Sequence, residues 1–264
     1  MSWPVVRFSP SSDLFARLIY LGQHQWNNSG SKQNFRSLAR QFSKQLGIDV
    51  YCVDLRNHGA SPHSTTMTNL AMAADLLRFL KSISSNISNG DISLLGHSMG
   101  GKAAMTLALH PDTPSNLLRN LIVEDISPIK GRLSKEFEGY ARAMRRIMDM
   151  QCTDRKQADE VLQEIEPDVS VRQFLLTNVS ASSTPGAPLT FRVPPEILAD
   201  SIGELGDFPY TPDDDVKFTK PTLIIRGKNS NYVKDSALPI IGKFFPHYEM
   251  VTLNTGHWGA LVLS

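Results

Sequence analysis

Apolar residues fall in two rhythms along this chain, short unbroken runs and longer stretches spaced three and four apart, and the two rhythms alternate. The runs at 18–21, 48–55, 92–95, 120–126, 221–227 and 248–253 predict strands, and the near-continuous apolarity of 48–55 suits a parallel strand covered on both faces. Between them, Phe35, Leu38, Phe42 and Leu46 predict one helix over 34–46, and Leu70, Ala74, Leu77 and Leu80 predict another over 68–83. Gly47 stands where a helix C-cap is expected. From Pro128 to about residue 215 the rhythm changes to short helical faces with no strand predicted among them. Phe137, Tyr140, Ala141, Met144 and Met148 share one such face, Val161, Leu162 and Ile165 a second, and Val171, Phe174 and Leu175 a third, with a loop over 180–188. The pattern therefore predicts an α/β core from 1–127 and 216–264, with 128–215 inserted as a helical cap. Strands joined through helices require right-handed crossovers, and such sheets bind ligands at their C-terminal edge.

Composition narrows the function. A chain of 264 residues with 41% apolar residues can bury a large core. Its 27 basic and 26 acidic residues leave a net charge of +1, which gives no broad footprint for nucleic acid or an anionic membrane. No apolar run approaches the roughly 18 residues that span a bilayer. Cys52, in a predicted strand, and Cys152, in a predicted helical region, have no metal or disulfide spacing and read as buried thiols in a reducing compartment. The first twenty residues hold Arg7, Arg17, four serines and one acid, Asp13, which faintly resembles a mitochondrial targeting segment. Pro4 and Pro10 oppose a continuous helix there, and a frayed terminus is the alternative.

The candidate chemistry centres on Gly96-His97-Ser98-Met99-Gly100, a G-x-S-x-G pentapeptide between a predicted strand and a predicted helix. A serine held on so sharp a turn needs neighbours without Cβ atoms, and Gly96 and Gly100 supply them. With the helix starting directly behind Ser98, the Met99 N–H is placed to face an oxyanion. Serine needs a neutral imidazole to take its proton. His257, in a Gly-containing turn after the last strand, is the best placed of seven histidines, and a structural turn histidine is the alternative. The carboxylate that would orient it usually follows the penultimate strand, but residues 227–232 hold no acid and Asp235 comes late. The end of the preceding strand offers Glu124 and Asp125, and Asp125, which leaves the strand, is favoured over Glu124 and over a helix-capping role.

Two rival functions share these residues. Gly96 to Lys102 also scans as most of a phosphate-binding loop, but Ala103 stands where a hydroxyl should hold Mg²⁺. The same fold kept only as a binding module, with its serine chemistry lost, is the second rival. In the cap, Met144, Met148, Phe174 and Leu175 either line an acyl channel or pack the cap helices together. Arg142, Arg145 and Arg146 either meet a phosphate of coenzyme A or form a solvated face.

Taken jointly, residues 96–102, the 54–59 turn with Ser61-Pro62-His63, Asp125-Ile126-Ser127-Pro128, Asn229-Ser230-Asn231-Tyr232-Val233 and Gly256-His257-Trp258 resemble one branch of the α/β-hydrolase superfamily. That branch includes small bacterial acyl esterases and thioesterases, mitochondrial abhydrolase-domain serine hydrolases and yeast ethanol acetyltransferases. The resemblance covers about Ser29 to Trp258. It implies an α/β-hydrolase fold, a catalytic triad of Ser98, Asp125 and His257, and no metal or organic cofactor. It also implies small ester or thioester substrates with short to medium acyl groups, and mitochondrial residence, with the cytoplasm as the alternative. Members of the branch usually carry His-Gly after the strand matching 18–21, and the loop there supplies a second oxyanion N–H. This chain reads Gly22-Gln23-His24-Gln25-Trp26-Asn27-Asn28-Ser29 instead, which puts that donor in question. The opening strands and closing helix of the branch are expected to be short or absent here.

Overall fold

A computed structural model describes residues 5–9, 17–21, 32–59, 61–84, 91–131, 135–180, 184 and 186–257. Residues 22–31, Trp258 and the side chain of Phe174 lie outside the described residues, as does much of the N-terminal stretch read for targeting.

The core is a seven-stranded sheet built from β1 (Val5–Phe8), β2 (Arg17–Leu21), β3 (Asp49–Val53), β4 (Ile92–His97), β5 (Leu118–Glu124), β8 (Thr222–Gly227) and β9 (Tyr248–Leu253), in the spatial order β1-β3-β2-β4-β5-β8-β9. Six of these strands run parallel, as the apolar runs predict, and β1 pairs antiparallel with β3. That edge strand corrects the reading of a frayed terminus. Four residues between two prolines carry no usable periodicity, and what holds them is tertiary. Val5 and Phe8 register with Val53 and Val50, and the Arg7 guanidinium donates to Asp49 at 2.8 Å while lying over the Tyr51 ring.

Helices α1 (Lys32–Leu46), α2 (Asn69–Ser84), α3 (Met99–Leu109) and α8 (Leu238–Phe244) flank the sheet. Gly47 ends α1 with φ 65°, the left-handed conformation that glycine adopts without steric cost. The Thr68 hydroxyl caps α2 by accepting the Ala71 N–H at 3.1 Å. The main apolar cluster, with Ile19, Leu21, Val53, Leu94, Val123 and Ile224 from the sheet, packs against Leu76, Leu80, Ala103, Leu107, Ile241 and Phe244 of the helices.

Between β5 and β8 run α4 (Lys135–Asp149), α5 (Arg155–Gln163), α6 (Val169–Leu176) and α7 (Pro195–Gly206). They enclose an apolar cluster of their own, containing Tyr140, Met144, Ile147, Val161, Leu162, Leu175 and Leu176. Met144 and Leu175, offered by the sequence as channel residues, are packed inside it. Two details differ from the sequence reading. A two-residue strand pair, β6 (Val179–Ser180) with β7 (Thr190–Phe191), interrupts the helices, being too short to leave a pattern. Cys152 sits in the turn after α4 rather than in a helix, and like Cys52 it is buried. Arg142 pairs with Glu138 and Arg146 with Glu164 on an exposed face. Among the described residues no helix is long and apolar enough to cross a membrane.

Candidate active site

Strand β4 ends at His97 and α3 begins at Met99, so Ser98 is the whole of the turn between them. Its backbone lies at φ 52°, ψ −120°, a region that non-glycine residues rarely occupy. The neighbouring glycines explain how the turn closes. A Cβ on Gly96 would lie 2.4 Å from the Gly100 carbonyl oxygen, and one on Gly100 would lie 2.2 Å from the carbonyl oxygen of Leu21. Ser98 is pinned from both sides, its N–H donating to Glu124 O and its carbonyl accepting from Lys102 N–H, each at 3.0 Å. Met99 opens α3, so its N–H is one of the amides that helix geometry leaves without an intrahelical acceptor. The stretch from Gly22 to Ser29, where a second oxyanion donor was sought, lies outside the described residues.

Parallel strands bring the other predicted residues to the same edge. Asp125 leaves β5 in a left-handed conformation, φ 48°, which asparagine and aspartate tolerate better than most residues. Its N–H donates to Ile225 O at 2.8 Å, holding the turn against β8. His257 follows β9. The structure places His257 Nδ1 2.8 Å from Asp125 Oδ2 and His257 Nε2 3.0 Å from Ser98 Oγ. An ionised carboxylate only accepts, so Nδ1 carries the proton and Nε2 faces the serine hydroxyl as an acceptor. Three residues separated by 132 and 159 positions thus form one hydrogen-bonded chain. Glu124, the alternative acid, is the register partner of His97 across β4 and β5.

Electrostatics follow from burial and partners. Burial works to raise the Asp125 pKa, but hydrogen bonds from His257, from the Ser230 side chain and from the Gly227 N–H at 2.9 Å outweigh it and hold the carboxyl below its ordinary value. Burial depresses the His257 pKa, and the bond to Asp125 only partly offsets it, so the imidazole stays neutral below its usual range. Burial raises Glu124.

Several neighbours escaped the sequence reading. The Tyr232 ring lies against the His257 imidazole with centroids 4.0 Å apart, and Phe137 of α4 approaches the same imidazole edge-on at 6.4 Å. The Ser127 hydroxyl fixes Tyr232 by donating to its carbonyl at 2.9 Å. Ser230 and Tyr232 fall in the segment after the penultimate strand, where an acid was sought and donors and an aromatic stand instead. Lys102 belongs to no phosphate-binding loop. Its ammonium is buried against the carbonyls of Ile129 at 3.1 Å, Asp207 at 3.0 Å and Gly206, and burial lowers its pKa to about 8. Its charge is committed to the protein's own backbone.

A mostly parallel sheet carrying a serine on a strained strand-to-helix turn at its C-terminal edge, with an imidazole and a carboxylate beside it, defines the α/β-hydrolase class. The model of the family described as "Alpha/beta hydrolase family" matches residues 21–262, and the chain belongs to that family. It is 40% identical over 230 residues to an abhydrolase domain-containing protein of Schizosaccharomyces pombe, covering 87% of this chain and 82% of the relative. A probable alcohol acetyltransferase of Saccharomyces cerevisiae is also 40% identical, over 87% of this chain and 69% of that protein. An sn-1-specific diacylglycerol lipase of Danio rerio is 35% identical, with coverages of 87% and 70%. Among solved structures, a marine microorganism esterase superposes with a TM-score of 0.81 at 28% identity, covering 99% of this chain and 95% of its own.

Proposed function

We propose that Ser98, His257 and Asp125 act as a catalytic triad in a serine hydrolase that cleaves carboxylic esters or thioesters through an acyl-enzyme. The observation that carries this reading is the unbroken hydrogen-bonded chain from Ser98 Oγ through His257 to Asp125. Nε2 takes the Ser98 proton as Oγ attacks the acyl carbon, forming a tetrahedral intermediate whose oxyanion receives the Met99 N–H. The leaving alcohol or thiol departs with that proton from Nε2. Water or an alcohol then attacks the acyl-enzyme, loses its proton to Nε2, and releases the acyl group as acid or ester while the proton returns to Ser98. Asp125 keeps the imidazole in its Nδ1–H tautomer and stabilises the imidazolium in both steps. Relatives named as an acetyltransferase and a lipase fit the two fates of one acyl-enzyme. We further propose mitochondrial residence, on the family resemblance.

The test is covalent labelling by a fluorophosphonate together with hydrolysis of p-nitrophenyl acetate and butyrate, with and without added ethanol. Labelling at Ser98 is expected, with turnover lost in Ser98→Ala down to the residual that binding and the oxyanion site provide. Equal rates for the wild type and Ser98→Ala overturn the proposal.

A further inference from the structure

We infer that His97 is a positioning residue: it fixes the backbone of the proposed base, His257, by a hydrogen bond to that residue's own carbonyl. The inference rests on the triad reading for its catalytic consequence, though the contact itself is independent of it. His97 is the last residue of β4, is only 5% exposed, and directly precedes Ser98. Its Nε2 lies 2.9 Å from the backbone oxygen of His257. A carbonyl oxygen only accepts, so Nε2 must carry a proton and the tautomer of His97 is settled by geometry. The two imidazole rings lie with centroids 5.0 Å apart, tilted by 36°, close enough for His97 to bear on ring placement as well as on the main chain.

After β9 ends at Leu253, the turn that presents His257 is fastened through Asn229 N–H to Thr255 O at 3.0 Å and Thr255 N–H to Leu253 O at 2.8 Å, both upstream of residue 257. The bond from His97 reaches the base residue itself. Because Ser98 directly follows His97, the last residue of the central strand β4, one continuous piece of backbone sets the positions of both proposed nucleophile and base. Glu124 stands opposite His97 in the β4–β5 register, and the two interact electrostatically. The adjacent acids Glu124 and Asp125 are therefore divided between two histidines, one behind the other.

Displacing reacting groups by about 1 Å costs on the order of 10²-fold in rate, which sets the scale of the effect. Three variants decide the matter. His97→Phe keeps a ring without a donor, His97→Asn is polar but too short to reach the carbonyl, and His97→Gln places an amide N–H as many bonds from Cα as Nε2. With p-nitrophenyl butyrate, kcat is expected to fall about 10- to 100-fold in His97→Phe and His97→Asn, with KM within about threefold of the wild type. His97→Gln is expected to recover most of the loss. Should His97→Phe not fold, His97→Asn carries the comparison, and thermal unfolding is recorded for all three. The downfield proton shared by His257 Nδ1 and Asp125 reads the placement of the base by NMR without turnover. It is expected to persist in His97→Gln and to broaden or vanish in His97→Asn. If a wild type without esterase activity still shows that contrast, the triad reading fails and the anchor stands. Wild-type kcat in a folded His97→Asn, or a His97→Gln no better than His97→Asn, overturns the inference.

Discussion

Replacing Asp125 by asparagine tests the proposed triad at the point where its geometry is most constraining. The substitution spares the backbone, because asparagine tolerates the left-handed φ of 48° as well as aspartate does. What changes is the count of acceptors. The carboxylate receives the Gly227 N–H on Oδ1 at 2.9 Å and His257 Nδ1 on Oδ2 at 2.8 Å, whereas an amide has one oxygen. The Gly227 N–H belongs to a strand and cannot turn away, so the amide oxygen goes to it and the NH₂ faces Nδ1. Two donors cannot face each other. His257 therefore gives up its Nδ1 proton, takes the Nε2–H tautomer, and presents a donor to Ser98 Oγ where an acceptor is needed. A wrong tautomer in a serine triad costs about 10⁴ in kcat, or roughly 5.5 kcal/mol at 1.36 kcal/mol per tenfold. Stability should change less, by about 1.5–3 kcal/mol for one charge-assisted hydrogen bond, which lowers Tm by several degrees. Steady-state hydrolysis of p-nitrophenyl butyrate measures the first quantity and thermal unfolding the second. A folded Asp125→Asn enzyme with kcat within tenfold of the wild type would refute the assignment of the orienting carboxylate.

The same site sets three more expectations, two of them in pH. Because burial lowers the His257 pKa and the base must be neutral, kcat/KM should fall only as pH drops through a value below 6.5, and an acid limb centred at pH 7 or above would contradict the account. Stability carries the matching sign: the unfolded imidazole gains its proton first, so the folded state loses stability as pH falls from about 6.5 toward the folded value. Gly100→Ala would drive a Cβ to 2.2 Å from the Leu21 carbonyl oxygen, a backbone atom at the end of β2, so α3 or β2 must shift. We expect about 10²-fold slower fluorophosphonate labelling and a destabilisation of about 1–3 kcal/mol, and unchanged labelling with unchanged Tm would show that the turn is looser than it stands.

The sheet was legible because its inner parallel strands keep short apolar runs, as in 18–21, 94–95 and 121–123, whereas β9, half exposed at the edge, showed only through Tyr248, Met250, Val251 and Leu253. The edge strand β1 was not, since four residues held by pairing with β3 and by Arg7 carry no local signal. Ser98, Asp125 and His257 could be named because each sits where a strand ends, and strand ends share an edge. Their neighbours could not. His97 contributes a hydrogen bond to a residue 160 positions away, and Tyr232 contributes a ring face, and neither property is written in its immediate surroundings. Met144 and Leu175 show the reverse limit: an apolar helical face is the same in sequence whether it lines a cavity or fills one.

The burial of Lys102 reaches beyond the residues it touches. Its nitrogen gathers Ile129, four residues past Asp125, and the carbonyls of Gly206 and Asp207 at the end of α7, while Asn69 of α2 donates to Glu204 O and Asp207 O. The excursion α4–α7 is thereby drawn shut at its neck, like a bag closed by a cord threaded through the helix that follows Ser98. Both ends of the excursion are held to one buried ammonium on α3, so they move with that helix rather than apart from it.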